Sequence, residues 1–162
     1  MSYQAMIQEK PSIRVAALEH RGDYAQIRAA FEQLTTIAAR MNLFGPSTRS
    51  FAIYYDDPSV TPRDALRSQV CLSVPENWSS SGRLESGEIR GGRYAITLHV
   101  GPYNELPRAY KWLYGTWLRE SGEQPANAPL VEEYLNDPRT VRPVELKTEI
   151  WLALRDSTKR AS

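Results

Sequence analysis

The sequence predicts an α+β fold: an internally duplicated strand–helix–strand–strand unit forming a curved, mostly antiparallel sheet, with two helices on one face and a ligand cleft on the pseudo-two-fold. Three observations predict it. Residues 14–34 (RVAALEHRGDYAQIRAAFEQL) align without a gap on residues 93–113 (RYAITLHVGPYNELPRAYKWL), at an offset of 93 − 14 = 79. Arg14/Arg93, Ala16/Ala95, His20/His99, Gly22/Gly101, Tyr24/Tyr103, Ala30/Ala109 and Leu34/Leu113 are identical pairs. Further on the match resumes at an offset of 80: Tyr54 falls on Tyr134, Asp57-Pro58 on Asp137-Pro138, and LRSQVCLSV (66–74) on LKTEIWLAL (146–154). A period of that length is too long for a solenoid repeat. It points to one domain spanning 1–154, built from repeats 13–74 and 93–154, joined by 75–92 and followed by a polar tail, 155–162.

Each repeat has the same order of signals. IRVAALEH (13–20) and RYAITLHV (93–100) are short aliphatic and β-branched runs that read as strands. Gly22 and Gly101-Pro102 break them. Over 23–41 the apolar residues Tyr24, Ile27, Ala30, Phe31, Leu34, Ile37 and Ala38 recur at helical spacing, with Asp23 placed as the N-cap. Over 103–119 the same spacing is kept by Tyr103, Leu106, Tyr110, Leu113, Tyr114 and Trp117, and Gly122 stops the helix. Two strands follow each helix, 50–55 and 68–74 in the first repeat, 131–136 and 146–154 in the second. Loop prolines separate them, since proline cannot donate to a sheet ladder. The Ser- and Gly-rich stretch 75–92 reads as a connector. With helices on one face only, the other face is expected to stand uncovered and ready to receive something.

Composition narrows the function. Lys and Arg total 20 and Asp and Glu 19, interleaved, for a net charge of +1. Nucleic-acid binding usually needs a basic stripe, and none is present. No stretch is long and apolar enough to span a membrane, and MSYQAMIQEKP lacks the pattern of a secretory signal. Only twelve residues precede Ile13, too few for a helix-turn-helix. The expectation is a cytoplasmic protein with no direct nucleic-acid or membrane partner. The single cysteine, Cys71, leaves no intramolecular disulfide. His20 and His99 end the first strand of each repeat with no ligand-spaced Cys or carboxylate nearby, so they read as structural residues fixing the turn, and neither metal nor cofactor is expected.

Alternation along the last strand sorts Ile150, Leu152 and Leu154 onto one face and Glu149, Trp151 and Ala153 onto the other. The repeat mates of Glu149 and Trp151 are Gln69 and Cys71, so the duplication breaks its symmetry here. A single functional carboxylate would do this; a cross-strand ion pair on a solvated face would also suffice. Tyr54 and Tyr134 are repeat mates on strands, and Tyr103 opens the second helix beside a strand end. Aromatic rings with a polar tip suit a small-molecule pocket, though tyrosine is also a good strand and core residue.

The runs HVGPY (99–103), EEYLNDP (132–138) and PVELKTEIWL (143–152), with GGRY (91–94) before them, resemble the GyrI-like small-molecule-binding domain. That family includes gyrase-inhibitory proteins and the effector-binding domains of AraC-type and multidrug-responsive MerR-type regulators. The resemblance covers about residues 5–154 and implies a cleft lined by aromatic rings with an acid at its floor. It matches Glu149 to that acid and Tyr134 and Trp151 to its aromatic neighbours. The implied function is a stand-alone binder of bulky aromatic or cationic compounds, acting in toxin or drug resistance. Two alternatives stay open. One is hydrolysis of cyclopropane-bearing genotoxins with Glu149 as general base; the other is inhibition of DNA gyrase, a topoisomerase, through protein contact.

Overall fold

A computed structural model of the chain describes residues 3–156. Of the polar tail expected after Leu154, residues 157–162 lie outside the described residues. The elements run β1 (Ala5–Lys10), β2 (Ile13–Arg21), α1 (Ile27–Arg40), β3 (Ser50–Tyr54), β4 (Arg67–Ser73), β5 (Glu85–Ile89) and β6 (Gly92–Val100). A second helix begins as α2 (Leu106–Trp112), passes through a π turn (Leu113–Trp117) and ends as α3 (Leu118–Ser121). β7 (Leu130–Tyr134) and β8 (Lys147–Ala153) close the chain. Two compact units result. The N-terminal unit is Ser12–Arg90; the C-terminal unit joins Met1–Pro11 to Gly91–Ser162.

Both units are antiparallel sheets carrying one helical layer. The N-terminal unit pairs β3 with β4, β4 with β2 and β2 with β5. The C-terminal unit pairs β7 with β8, β8 with β6 and β6 with β1. The α+β class and the duplicated strand–helix–strand–strand order are therefore present, and all six strands read from the sequence fall within two residues of their expected bounds.

β1 and β5 were not expected. The sequence reading left 1–12 unassigned and made 75–92 a bare connector, but each segment supplies a strand to the outside of a unit. AMIQEK and ESGEI are polar because an edge strand has one side facing water and needs no continuous apolar row. They therefore lack the pattern by which buried strands are recognised.

The helices form where their apolar stripes meet the sheets. The Asp23 carboxylate accepts the Ala25 N–H at 3.0 Å and opens a short 3₁₀ turn that feeds α1. α1 buries Ala30, Leu34 and Ala38 against Ala16, Leu18, Val70 and Leu72. Leu106, Ala109 and Leu113 do the same against Ala95, Ile150 and Leu152, and Gly122 ends α3 in the left-handed region at φ 72°.

The duplication extends to individual bonds. Gly22 and Gly101, at φ 106° and 141°, each donate an N–H at 2.8 Å, to the carbonyls of Leu66 and Leu146. Glycine meets such angles without a Cβ penalty. His20 Nε2 lies 3.1 Å from the Asp23 carbonyl, and His99 Nε2 lies 3.1 Å from that of Pro102. A carbonyl only accepts, so both rings carry their proton on Nε2 and pin the turn into the helix. Tyr24 meets Tyr54 edge-on at 4.8 Å, and Tyr103 meets Tyr134 edge-on at 5.7 Å.

The sheet face away from the helices is not the open surface expected. In the C-terminal unit its central residues Trp151, Val131 and Tyr94 are buried, as are Val15, Phe51 and Cys71 in the N-terminal unit. The large side chains there fill the space against one another: Tyr94 stands edge-on to Trp151 at 5.4 Å, and Lys10 Nζ lies 5.0 Å over the same indole.

Candidate functional site

Cross-strand register decides which residues share a face, and here it separates residues that sequence reading had grouped. Glu149 pairs with Glu133 on one side and Leu98 on the other, whereas Tyr134 pairs with Thr148. Directly opposed residues project to the same face. Glu149 and Trp151 therefore lie away from the helices, and Tyr134 lies on the helix side. The indole Nε1 of Trp151 donates to Glu149 Oε1 at 3.1 Å. That bond holds two neighbours of one strand, and Trp151 is fully buried. Tyr54 belongs to the N-terminal unit, against Tyr24.

A second carboxylate occupies the helix side. Glu132 on β7 pairs with Ile150 of the core beneath the helix and is 4% exposed. The Tyr134 hydroxyl donates to Glu132 Oε1 at 2.6 Å, and the Tyr110 hydroxyl of α2 donates to Oε2. Tyr103, the residue that opens the helical segment, stands edge-on to Tyr134 with the ring planes at 73°. Two tyrosines, one from α2 and one from β7, converge on one acid, and Tyr103 packs on the second of them. Burying a carboxylate costs several kcal/mol unless it is bonded, and two phenolic O–H···O⁻ bonds are among the strong kind.

The other repeat shows that this cluster is not a requirement of the fold. Ala52 stands where Glu132 does, and Phe31 where Tyr110 does. The N-terminal unit packs without the acid and without one of the hydroxyls: Ala52 is fully buried, and Phe31 lines the core beneath α1. The helix also departs from its copy immediately after Tyr110. α1 is an uninterrupted α-helix, whereas its counterpart contains the π turn at Leu113–Trp117. Such turns recur at functional sites, where they re-aim side chains. Glu132 and Tyr110 were missed by sequence reasoning. The comparison that singled out Glu149 against Gln69 would have found them had it been carried along β7 and the helix.

The N-terminal unit has a surface depression of about 270 Å³, lined by Glu19, Arg21, Tyr55, Arg67, Ser68 and Gln69. Its polar groups find partners within the unit. The Tyr55 hydroxyl donates to Gln69 at 2.8 Å, Arg67 grips Asp56 at 3.0 Å, and Arg21 holds Glu19 at 2.8 Å. Burial raises the Tyr55 phenol above its ordinary pKa, so it stays a neutral donor at pH 7.

Two copies of a strand–helix–strand–strand unit, each an antiparallel sheet with one helical layer, define a duplicated α+β domain. The chain belongs to the GyrI-like small molecule binding domain family, whose profile matches residues 3–155. It is 30% identical over 150 residues to a probable transcriptional regulator, YgiV, of Escherichia coli, covering 89% of this chain and 91% of that one. It is 28% identical over 142 residues to a DNA gyrase inhibitor of Salmonella typhimurium, covering 85% and 88%. Among solved structures it resembles the EcmrR C-terminal domain, with TM-score 0.78 at 20% identity over 96% of this chain and 99% of that one. A protein solved with tetraphenylphosphonium bound superposes with TM-score 0.65 at 13% identity over 96% of both chains. No helix among the described residues is long and apolar enough to cross a membrane.

Proposed function

We propose that the C-terminal unit binds bulky, cationic aromatic molecules at the Tyr110–Glu132–Tyr134 cluster, with Tyr103 as a further wall. The observation that carries this reading is the buried Glu132 carboxylate with a phenol on each oxygen, at a position where the other repeat keeps alanine. A cation resting on these rings gains roughly 0.5–2 kcal/mol from each favourable face. Hydrogen bonding to the carboxylate makes the phenols richer in electrons, so the acid acts on the ligand both directly and through them. Glu149, placed by the sequence resemblance at the cleft floor, has in this reading the separate task of fixing the Trp151 indole. The tetraphenylphosphonium complex of the structural relative supports the choice of a lipophilic cation as probe.

Calorimetric titration with tetraphenylphosphonium tests the proposal. Glu132→Gln should weaken binding about tenfold to a hundredfold, the scale of one charge-assisted contact. Glu149→Gln should leave it within about twofold, less than half a kcal/mol. The reverse pattern would return the acid's role to Glu149, and equal affinity in all three proteins would remove both.

A further inference from the structure

At the strand ends on the face away from the helices, the C-terminal unit carries a patch unlike its counterpart. Met6 of β1, Leu98 and Val100 of β6, and Leu135 just beyond β7 are 63%, 43%, 39% and 45% exposed. Register seats them around two charges on β8. Leu98 pairs with Glu149 and Val100 with Lys147, while the Leu135 N–H bonds the Lys147 carbonyl at 3.0 Å.

The same positions in the N-terminal unit are Glu85, Glu19, Arg21 and Tyr55, around Arg67 and Gln69. There the two arginines at these positions are matched within the unit: Arg21 to Glu19, and Arg67 to Asp56. In the C-terminal unit, neither Lys147 nor Glu149 has an ion-pair partner among the described residues. One repeat therefore pairs Arg21 and Arg67 with acids of its own at this place. The other leaves an acid and a base open inside a ring of four aliphatic side chains.

Lys147 and Glu149 are two residues apart on one strand and project to the same face, about 7 Å from each other. A plus and a minus so spaced are complementary to their own reversed image. We propose that this patch is the contact surface of a symmetric dimer, in which it meets the same patch of a second copy across a two-fold axis. Antiparallel apposition sets Lys147 against Glu149 of the second copy and Glu149 against its Lys147. An isologous contact has this reciprocal form. Met6, Leu98, Val100 and Leu135 surround the two ion pairs and exclude water from them, which strengthens both. The inference is independent of the ligand site, because none of these residues touches the Glu132 cluster.

Sedimentation velocity on the full chain, from micromolar to millimolar concentration, is the test. The unaltered protein should show a reversible monomer–dimer equilibrium. Leu98→Glu installs the residue that the other repeat carries at this position and should weaken the dimer by about tenfold or more. Lys147→Glu alone opposes acids to acids, and Glu149→Lys alone opposes bases to bases, so each should be monomeric. An equimolar mixture of these two variants pairs two acids with two bases and should restore a dimer. Circular dichroism confirms that each variant is folded. Leu98→Glu and Lys147→Glu change exposed side chains and carry the test should Glu149→Lys not fold. An unaltered protein that stays monomeric throughout the range would overturn the proposal. So would a dimer that survives Leu98→Glu, or a mixture no more associated than its components.

Discussion

The N-terminal unit places Phe31, Ala52 and Gln69 where the C-terminal unit places Tyr110, Glu132 and Glu149, on backbones that repeat the same turns and hydrogen bonds. Positions that both units keep are those the fold needs: the positive-φ glycines, the turn-pinning histidines, the edge-on tyrosine pairs and the helix cores. Positions where they part carry polar groups that the fold does without in one copy. A duplicated chain thus contains its own control. Stability can be read from what is shared and function from what diverges.

The largest effect should come from the shared cores. Leu34 and Leu113 are repeat mates, each 1% exposed or less, so Leu34→Ala and Leu113→Ala should each cost about 2–5 kcal/mol in urea unfolding. A much smaller cost for Leu113→Ala would show that the π turn beside it loosens that core.

Converting the divergent cluster back to its copy comes next. Glu132→Ala combined with Tyr110→Phe should reduce tetraphenylphosphonium affinity by about tenfold to a hundredfold. Stability should change less than in a leucine deletion, because Tyr110→Phe removes one of the two hydroxyls that Glu132→Ala would strand. The other, on Tyr134, has a repeat mate in Tyr54 that stands two residues from Ala52 with no acid between them. Retained binding in a folded double variant would break the link between divergence and function.

The turn glycines allow a finer comparison. A Cβ at Gly101 would meet Glu105 Oε1 at 3.3 Å and His99 Nε2 at 3.5 Å, whereas at Gly22 it would meet nothing within 4 Å. Both substitutions impose strain of about 1–3 kcal/mol from the positive φ. Gly101→Ala should nevertheless melt lower than Gly22→Ala, and equal melting temperatures would show that only the dihedral matters.

Smallest is the acid limb. Hydrogen bonding from Arg67 holds Asp56 below the usual carboxylate range, and Arg139 does the same for Asp137. A depressed folded pKa contributes stability that is present above the unfolded value, near 3.8, and is lost as pH falls through the folded one. Arg67→Gln and Arg139→Gln should therefore narrow the gap to the unaltered protein in melting temperature as pH drops below about 3. A gap that widens on acidification would contradict the sign.

Helices and buried strands were legible in the sequence because burying one face forces an apolar period, and Leu34, Leu113 and Ile150 keep that period. β1 and β5 lie at sheet edges, where no such period is required. An acid among aromatic rings was legible; which acid shares a face with Tyr134 was not. Alternation orders side chains within a strand, but only register relates one strand to the next. Nothing in the residues themselves shows that Glu133, and not Tyr134, stands beside Glu149. The repeat comparison was the stronger instrument. Glu132 against Ala52 is a larger chemical change than Glu149 against Gln69, and it lies on the side where the tyrosines converge.

The pairing of β1 with β6 has a consequence for how the molecule is made. The N-terminal unit is one unbroken stretch, Ser12–Arg90, and is available to fold as soon as it leaves the ribosome. The C-terminal unit needs the first strand synthesised and the last. Tyr3, whose hydroxyl reaches His99 Nδ1 at 3.0 Å, must wait for nearly a hundred residues to emerge before its partner exists. The expected order is vectorial, with the N-terminal unit maturing first and the C-terminal unit last. Pulse hydrogen-exchange labelling of stalled nascent chains should find β2–β4 protected while β6 and β8 still exchange, and the opposite order would refute it. A ligand that stabilises the C-terminal unit would then act on the final step of maturation, when the two ends of the chain meet.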